Sequence, residues 1–213
     1  FGGGLILLNY YTDWLVKQFS WKATMAWKNN ARERLLDAAE TVVLEQGILK
    51  LTLDSVALAG GVSKGGLLYH FASKEALLRA MVERQVARWE VSLDQHLDRL
   101  DKTSAAPVEA YVAACTNETD RSRALWAAMM AAFATAPDLI DPLRKSYENH
   151  LRRLRDSDGS FPRLTALSLA CDGLWLQELL GLPPLSAGAR QAVTAEIITL
   201  ARAPAPLTAA PTP

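Results

Sequence analysis

The sequence of 213 residues predicts an all-α chain of about nine helices. Three observations carry that expectation. Apolar residues return every three to four positions through 31–46 and 75–100, 161–180 is a very apolar helical stretch, and no stretch alternates with the two-residue period of a strand. Hydroxyl side chains suited to capping, Thr52, Ser63 and Ser73, stand just before helical stretches. Glycines that tolerate a positive φ, Gly47, Gly61 and Gly181, stand at their ends or in tight turns.

Taken in order, residues 1–28 read as an N-terminal extension. The opening Phe1-Gly2-Gly3-Gly4-Leu5 lacks the basic start of a signal peptide, and no small-residue cleavage site follows. Met25 resembles a normal start just ahead of the first periodic helix, so residues 1–24 are read as upstream sequence. The rival reading is an amphipathic arm with Tyr10, Tyr11, Trp14, Leu15 and Phe19 as its apolar face.

Residues 29–89 form the first domain. Helix 31–46 gathers Leu35, Leu36, Ala39, Val42 and Val43 on one face, with Arg32, Glu33, Asp37, Glu40 and Glu45 elsewhere. Gly47 stops it. Thr52 caps the next helix, and Asp54 in its first turn suits the helix dipole. The small side chain of Ala57 lets the following helix cross closely, and Gly61 supplies the turn. Ser63 caps a helix to Phe71, with Val62 and Leu67 spaced to bury one face. Ser73 caps a fourth helix with Glu75 in its first turn. Capped helices joined by such short connections are the pattern of a helix-turn-helix over about 52–71, whose second helix is shaped for a DNA major groove.

Residues 90–202 stay helical. The run begun at Glu75 continues to Leu100, and 101–107 is a linker. Pro107 opens a helix to Thr116. An Ala-rich helix covers 121–135 and ends before Pro137. Asp141-Pro142 opens a helix through Arg155. Phe161-Pro162 introduces a very apolar helix to Leu180, and a last helix covers 186–202. The tail 203–213, rich in Ala, Pro and Thr, is expected to be disordered.

The string Ala31-Arg32-Glu33-Arg34-Leu35-Leu36-Asp37-Ala38-Ala39, then Gly47, then Thr52 to Leu78, resembles the DNA-binding domain of the tetracycline-repressor (TetR) family of bacterial regulators. The resemblance covers about a quarter of the chain and is an ordered series of caps, turn glycines and core positions. It implies a homodimer whose N-terminal domains hold a palindromic operator and whose C-terminal domain binds a small effector that releases the DNA. It implies a cytoplasmic protein. Many members carry Tyr where this chain has Leu68, so a backbone contact from that position is not expected. Candidate DNA-binding residues are Thr52, Ser63, Lys64, Gly65, Gly66, Tyr69, His70 and Lys74.

The second domain offers adaptable, lipophilic side chains for an effector: Trp89, Trp126, Met129, Met130, Phe133, Tyr147, Cys171 and Trp175. The same residues at helical spacing also suit plain core packing. Asp172 and Glu178, on an apolar helix, are candidates to orient a cationic ligand, or are satisfied buried acids. Leu167, Leu174, Leu179, Val193 and Ile197, on the last two helices, are the candidate dimerisation residues, because a helix apolar all round is buried on more than one side.

Composition bounds the function. The 23 basic and 23 acidic side chains cancel, which argues against broad polyanion binding and leaves DNA affinity to a few placed cations and helix N-termini. Arg144, Lys145, Arg152, Arg153 and Arg155 read as a solvated face. Cys115 and Cys171 are the only cysteines and lack metal-ligand spacing, so buried free thiols are expected. No metal, cofactor or membrane span is expected, and no nucleophile–base arrangement suggests an enzyme. The two other readings are a helical small-molecule binder without operator binding and an enzyme in the C-terminal domain.

Overall fold

The computed structural model describes residues 30–157 and 160–204. The expectations for residues 1–28, and those for 205–213 of the tail, lie outside the described residues. Every regular element among the described residues is a helix. The chain divides into two compact units, up to Leu77 and from Leu78 onward.

In the first unit, helix α1 covers 30–46 and Gly47 ends it with φ 87°. A short 3-10 turn, Ile48–Lys50, leads to α2, Leu53–Ala59. Thr52 accepts from the Ser55 amide while the Ser55 hydroxyl takes up the Thr52 N–H at 2.9 Å, a reciprocal cap. Gly61, φ 64°, makes the turn into α3, Lys64–His70. Ser63 caps α3 through the Gly66 amide at 3.1 Å. Ser73 caps α4, Lys74–Leu97, through the Ala76 amide at 3.1 Å. Leu35, Leu36, Ala39, Val42, Leu51, Val56, Leu67, Phe71 and Leu77 are buried, each large apolar side chain worth roughly 1.5–3 kcal/mol of transfer free energy. Two expectations change. Val62 is 36% exposed, so Leu67 alone anchors α3. Glu40, expected outside the apolar face, is buried.

The second unit contains most of α4, then α5 (Ala106–Thr116), α6 (Asp120–Thr135), a 3-10 turn Pro137–Ile140, α7 (Asp141–Asp156), α8 (Phe161–Leu179) and α9 (Ala187–Arg202). Expected boundaries agree closely, because they are marked by chemistry: Thr119 and Ser186 cap α6 and α9, and Gly181 ends α8 with φ 63°. The central element is α5. It packs against α7, α8 and α9, and Val108, Ala110, Tyr111, Val112, Ala114 and Cys115 are all buried. Its small residues let neighbours close in on every side. Glu109 and Arg202 form a two-pronged ion pair that ties α5 to α9.

Helix α8 is therefore not the one that is buried all round. Leu164, Leu167, Ser168, Cys171 and Leu179 face the core, while Leu169, Leu176 and Leu180 are 54%, 42% and 56% exposed. Cys115 and Cys171 are free thiols, as expected. They are neighbours in space, and the interaction between the two thiols pulls that of Cys171 below its ordinary pKa and pushes that of Cys115 up.

Candidate functional sites: an exposed recognition helix and an aromatic cavity

The first site is the outer face of α3. Lys64, Gly65, Gly66, Leu68 and Tyr69 are exposed, and Tyr69 packs edge-on against the half-buried His70 with ring centroids 5.2 Å apart. A methyl group at Gly65 would meet only the Ser63 hydroxyl, at 4.0 Å, so this glycine is not demanded by packing against α2. Lys64 pairs with Asp54 at 3.0 Å, both side chains more than half exposed. Thr52 and Ser63 spend their hydroxyls on their own helix caps. The Thr52 hydroxyl also donates to that of Ser55 at 3.0 Å, whereas the Ser63 hydroxyl keeps its proton to donate to a ligand. Lys74 is exposed in the first turn of the 24-residue α4. The eight candidate DNA-binding residues thus all belong to one unit, at three helix N-termini and along α3.

The second site is a cavity of about 550 Å³ inside the second unit, bounded by α4, α5, α6, α7 and α8. Of the eight effector candidates, Trp89, Trp126, Tyr147 and Trp175 line it. Met129 and Phe133 of α6 are buried but do not line it, and Met130 is 37% exposed. Cys171 lines a small neighbouring void that Cys115 shares. Tyr111, Cys115, Glu118, Val86, Ile140, Leu143 and His150 line the main cavity and were not among the effector candidates.

Polar groups in the cavity form a short network. Asp172 accepts from the Tyr111 hydroxyl at 2.5 Å and from the Tyr147 hydroxyl at 3.2 Å. Burial pushes the Asp172 carboxyl above its usual range, against these two hydrogen bonds. Burial also raises the Tyr111 phenol far beyond its normal value, and that of Tyr147 to about 12, with the Asp172 charge adding to both. His150 stacks on Tyr111 at 4.1 Å, and its Nε2 lies 3.0 Å from the Ser168 hydroxyl. Burial, helped by Arg153, lowers the His150 pKa to about 4, so the ring is neutral at pH 7. Glu118 accepts from the Trp175 indole N–H at 2.6 Å and from Ser122 at 2.8 Å. Glu178 does not join them: it pairs with Arg190 at 2.6 Å and Arg123 at 3.3 Å.

The candidate dimerisation residues divide differently. Leu167, Leu179 and Ile197 are buried in their own chain and Leu174 packs against its core, because each lies on the inward face of α8 or α9. Val193 is 38% exposed. The outward apolar face of α8 consists instead of Ala166, Leu169, Ala170 and Gly173, with Leu180 just past the helix end, while the partly exposed Leu176 borders the cavity. The basic cluster of α7 is tied up locally: Arg153 pairs with Asp94 at 2.7 Å, Arg144 with Asp141 at 2.6 Å, and Arg155 lies over the Phe161 ring. Among the described residues no three His, Cys, Asp or Glu side chains gather as a metal site, and no helix is long and apolar enough to cross a membrane.

Two family models match the chain. Residues 35–81 match the bacterial regulatory proteins of the tetR family, and residues 105–202 match the tetracyclin repressor-like C-terminal domain. The chain is 28% identical over 179 residues to the HTH-type transcriptional regulator BetI of Serratia proteamaculans, covering 79% of this chain and 90% of BetI. It is 36% identical over 61 residues to SrpR of Pseudomonas putida, 29% of each chain. The match spans under half the length of other curated relatives too, 46% of TtgW and 37% of YfiR. Among solved structures, a TetR-family member of Streptomyces coelicolor A3 superposes with a TM-score of 0.62 at 22% identity, covering 80% of this chain and 97% of that one. The multidrug binding protein EbrR, complexed with malachite green, gives 0.62 at 22% identity over 79% of this chain and 96% of its own. With the recognition unit and the helical C-terminal unit matched separately and in the same order, the chain belongs to the TetR family.

Proposed function

We propose that this chain is a ligand-responsive transcriptional regulator in the cytoplasm, a repressor that binds a palindromic operator as a homodimer and is released by a small lipophilic effector. The observation that carries this reading is the outer face of α3. One buried leucine fixes the helix, and Lys64, Gly65, Gly66, Leu68 and Tyr69 are exposed. Two successive glycines near a helix start cost helix stability, and a backbone without side chains can approach a groove closely.

The roles divide by position. The exposed Lys64–Asp54 pair is worth at most about 1 kcal/mol, so Lys64 exchanges it readily for a base edge or a phosphate. Lys74 and the first amides of α4 suit a phosphate, where lysine charge and helix dipole act together. Tyr69 and His70 offer polar rings to the sugar-phosphate wall. The outward apolar face of α8 supports pairing with a second copy across a two-fold axis. The cavity supports the effector site, and EbrR, of the same fold, is a multidrug binding protein seen with ethidium and malachite green. Val86 and Trp89 of that cavity lie on α4, the helix that begins at Lys74.

Salt-titrated binding to the DNA upstream of its own gene tests the reading. Lys74→Ala weakens operator and scrambled DNA alike and lowers the salt slope by about one per half-site. Lys64→Ala costs ~1–3 kcal/mol per half-site, mainly on the operator. Unchanged operator affinity in both variants refutes the proposed interface.

A further inference from the structure

We propose that the cavity of the second unit is a receptor for a lipophilic cation, with Asp172 and Glu118 as its built-in counter-charges. The inference deepens the reading of that cavity as an effector site and rests on it.

The charge inventory is lopsided. Glu118, Glu148 and Asp172 line the cavity, against Arg144 as its one lining Lys or Arg. Arg144 is more than half exposed and engaged by Asp141 of its own helix. On α6, the guanidinium of Arg123 is directed to Asp120 and Glu178, and reaches only the backbone oxygen of Glu118. Arg190 is held by Glu178. Among the described residues, therefore, neither the Asp172 nor the Glu118 carboxylate is ion-paired.

Both are instead held by neutral donors: two phenols on Asp172, an indole N–H and a hydroxyl on Glu118. Such donors orient a carboxylate and satisfy its lone pairs, but they do not cancel its charge. A carboxylate kept among aromatic walls with no counter-ion is costly, and an apolar residue of similar size would be more stable there. The arrangement becomes favourable when a ligand brings the missing positive charge. The walls point the same way. Trp89, Trp126 and Trp175 line the volume, and aromatic faces attract cations most strongly when water is excluded. A neutral lipophile gains the apolar contact and leaves both charges uncompensated, and an anion is repelled.

Tetraphenylphosphonium and tetraphenylborate have the same shape and opposite charge, so they isolate this term. In isothermal titration calorimetry on the full chain at neutral pH, the phosphonium binds at least about tenfold more tightly than the borate. Asp172→Asn and Glu118→Gln remove the charge and keep one of the two acceptor oxygens, and each narrows that ratio severalfold, with circular dichroism and melting point confirming the fold. Equal or tighter binding of the borate, failure of the phosphonium to bind, or a ratio untouched by both substitutions overturns the proposal. The wild-type comparison stands even if a variant misfolds. Operator binding measured alongside separates this inference from the broader reading. A phosphonium that binds as expected and leaves operator affinity unchanged supports the cation site and refutes ligand-triggered release. A neutral or anionic compound that releases the operator, with no phosphonium binding, does the reverse.

Discussion

Gly65 has no packing reason to be a glycine: its φ is ordinary, and a methyl group there would sit 4.0 Å from its nearest neighbour. Gly65→Ala should therefore raise the melting temperature, by the equivalent of about 0.5–1 kcal/mol of helix propensity, and lower operator affinity. Thermal melts and gel shifts on the same preparation check the opposite signs; undiminished DNA binding would remove the close-approach argument. His150 gives a second single-residue expectation. Ser168 donates to the Leu164 carbonyl at 3.1 Å, so its lone pairs are left to accept from the His150 Nε2–H, while Nδ1 has no partner. The folded ring titrates near 4 and the unfolded one near 6.5. Between those values the unfolded chain holds a proton that the native state refuses, so stability is full above 6.5 and falls as pH drops towards 4, by on the order of 3 kcal/mol. Asp172, raised by burial, acts in the opposite sense, so the measurement is the difference between wild type and His150→Gln in unfolding free energy against pH. That difference should shrink steadily from pH 6.5 to 4; a constant offset would mean that the native ring is already charged.

At the scale of elements, the face of α8 turned away from its own core carries Leu169 and Leu180 at more than half exposure, with Gly173 between them and open space around its missing side chain. A helix that leaves an apolar stripe uncovered fits a partner helix, and a glycine in that stripe allows backbones to approach. Leu169→Arg combined with Leu180→Arg should shift the protein from dimer to monomer at micromolar concentration in sedimentation equilibrium, with helix content kept. Operator affinity should fall with it, since the two half-sites are no longer linked. An unchanged sedimentation profile would move the interface elsewhere. Helix ends were readable in the sequence because caps and glycines act locally: Thr52, Ser63 and Ser73 each accept the expected amide. Which face turns inward was not. α8 is apolar all round, so periodicity could not rank Leu167 against Leu169. The small-residue α5, the true centre, carries no strong amphipathic stripe.

At the scale of the molecule, the cavity shows the same limit. Tyr111 meets Asp172 across 61 positions and Glu118 meets Trp175 across 57, and no spacing rule in one sequence links them. Single aromatic residues could be named, but the polar network of the cavity only exists once the helices around it pack. Its connection to DNA binding must run through a difference in affinity. A ligand that fits the DNA-bound and DNA-free conformers equally well raises the melting point and releases nothing. One helix, α4, carries both Lys74 and Trp89. Coupling between two sites is reciprocal. A true effector should therefore bind the free protein more tightly than the operator complex by a factor of roughly 5–150, and lower operator affinity by that same factor. Titrating the ligand with and without saturating operator, and the operator with and without saturating ligand, measures both arms. A stabilising ligand whose affinity is the same on and off the operator would show a cavity that binds without regulating.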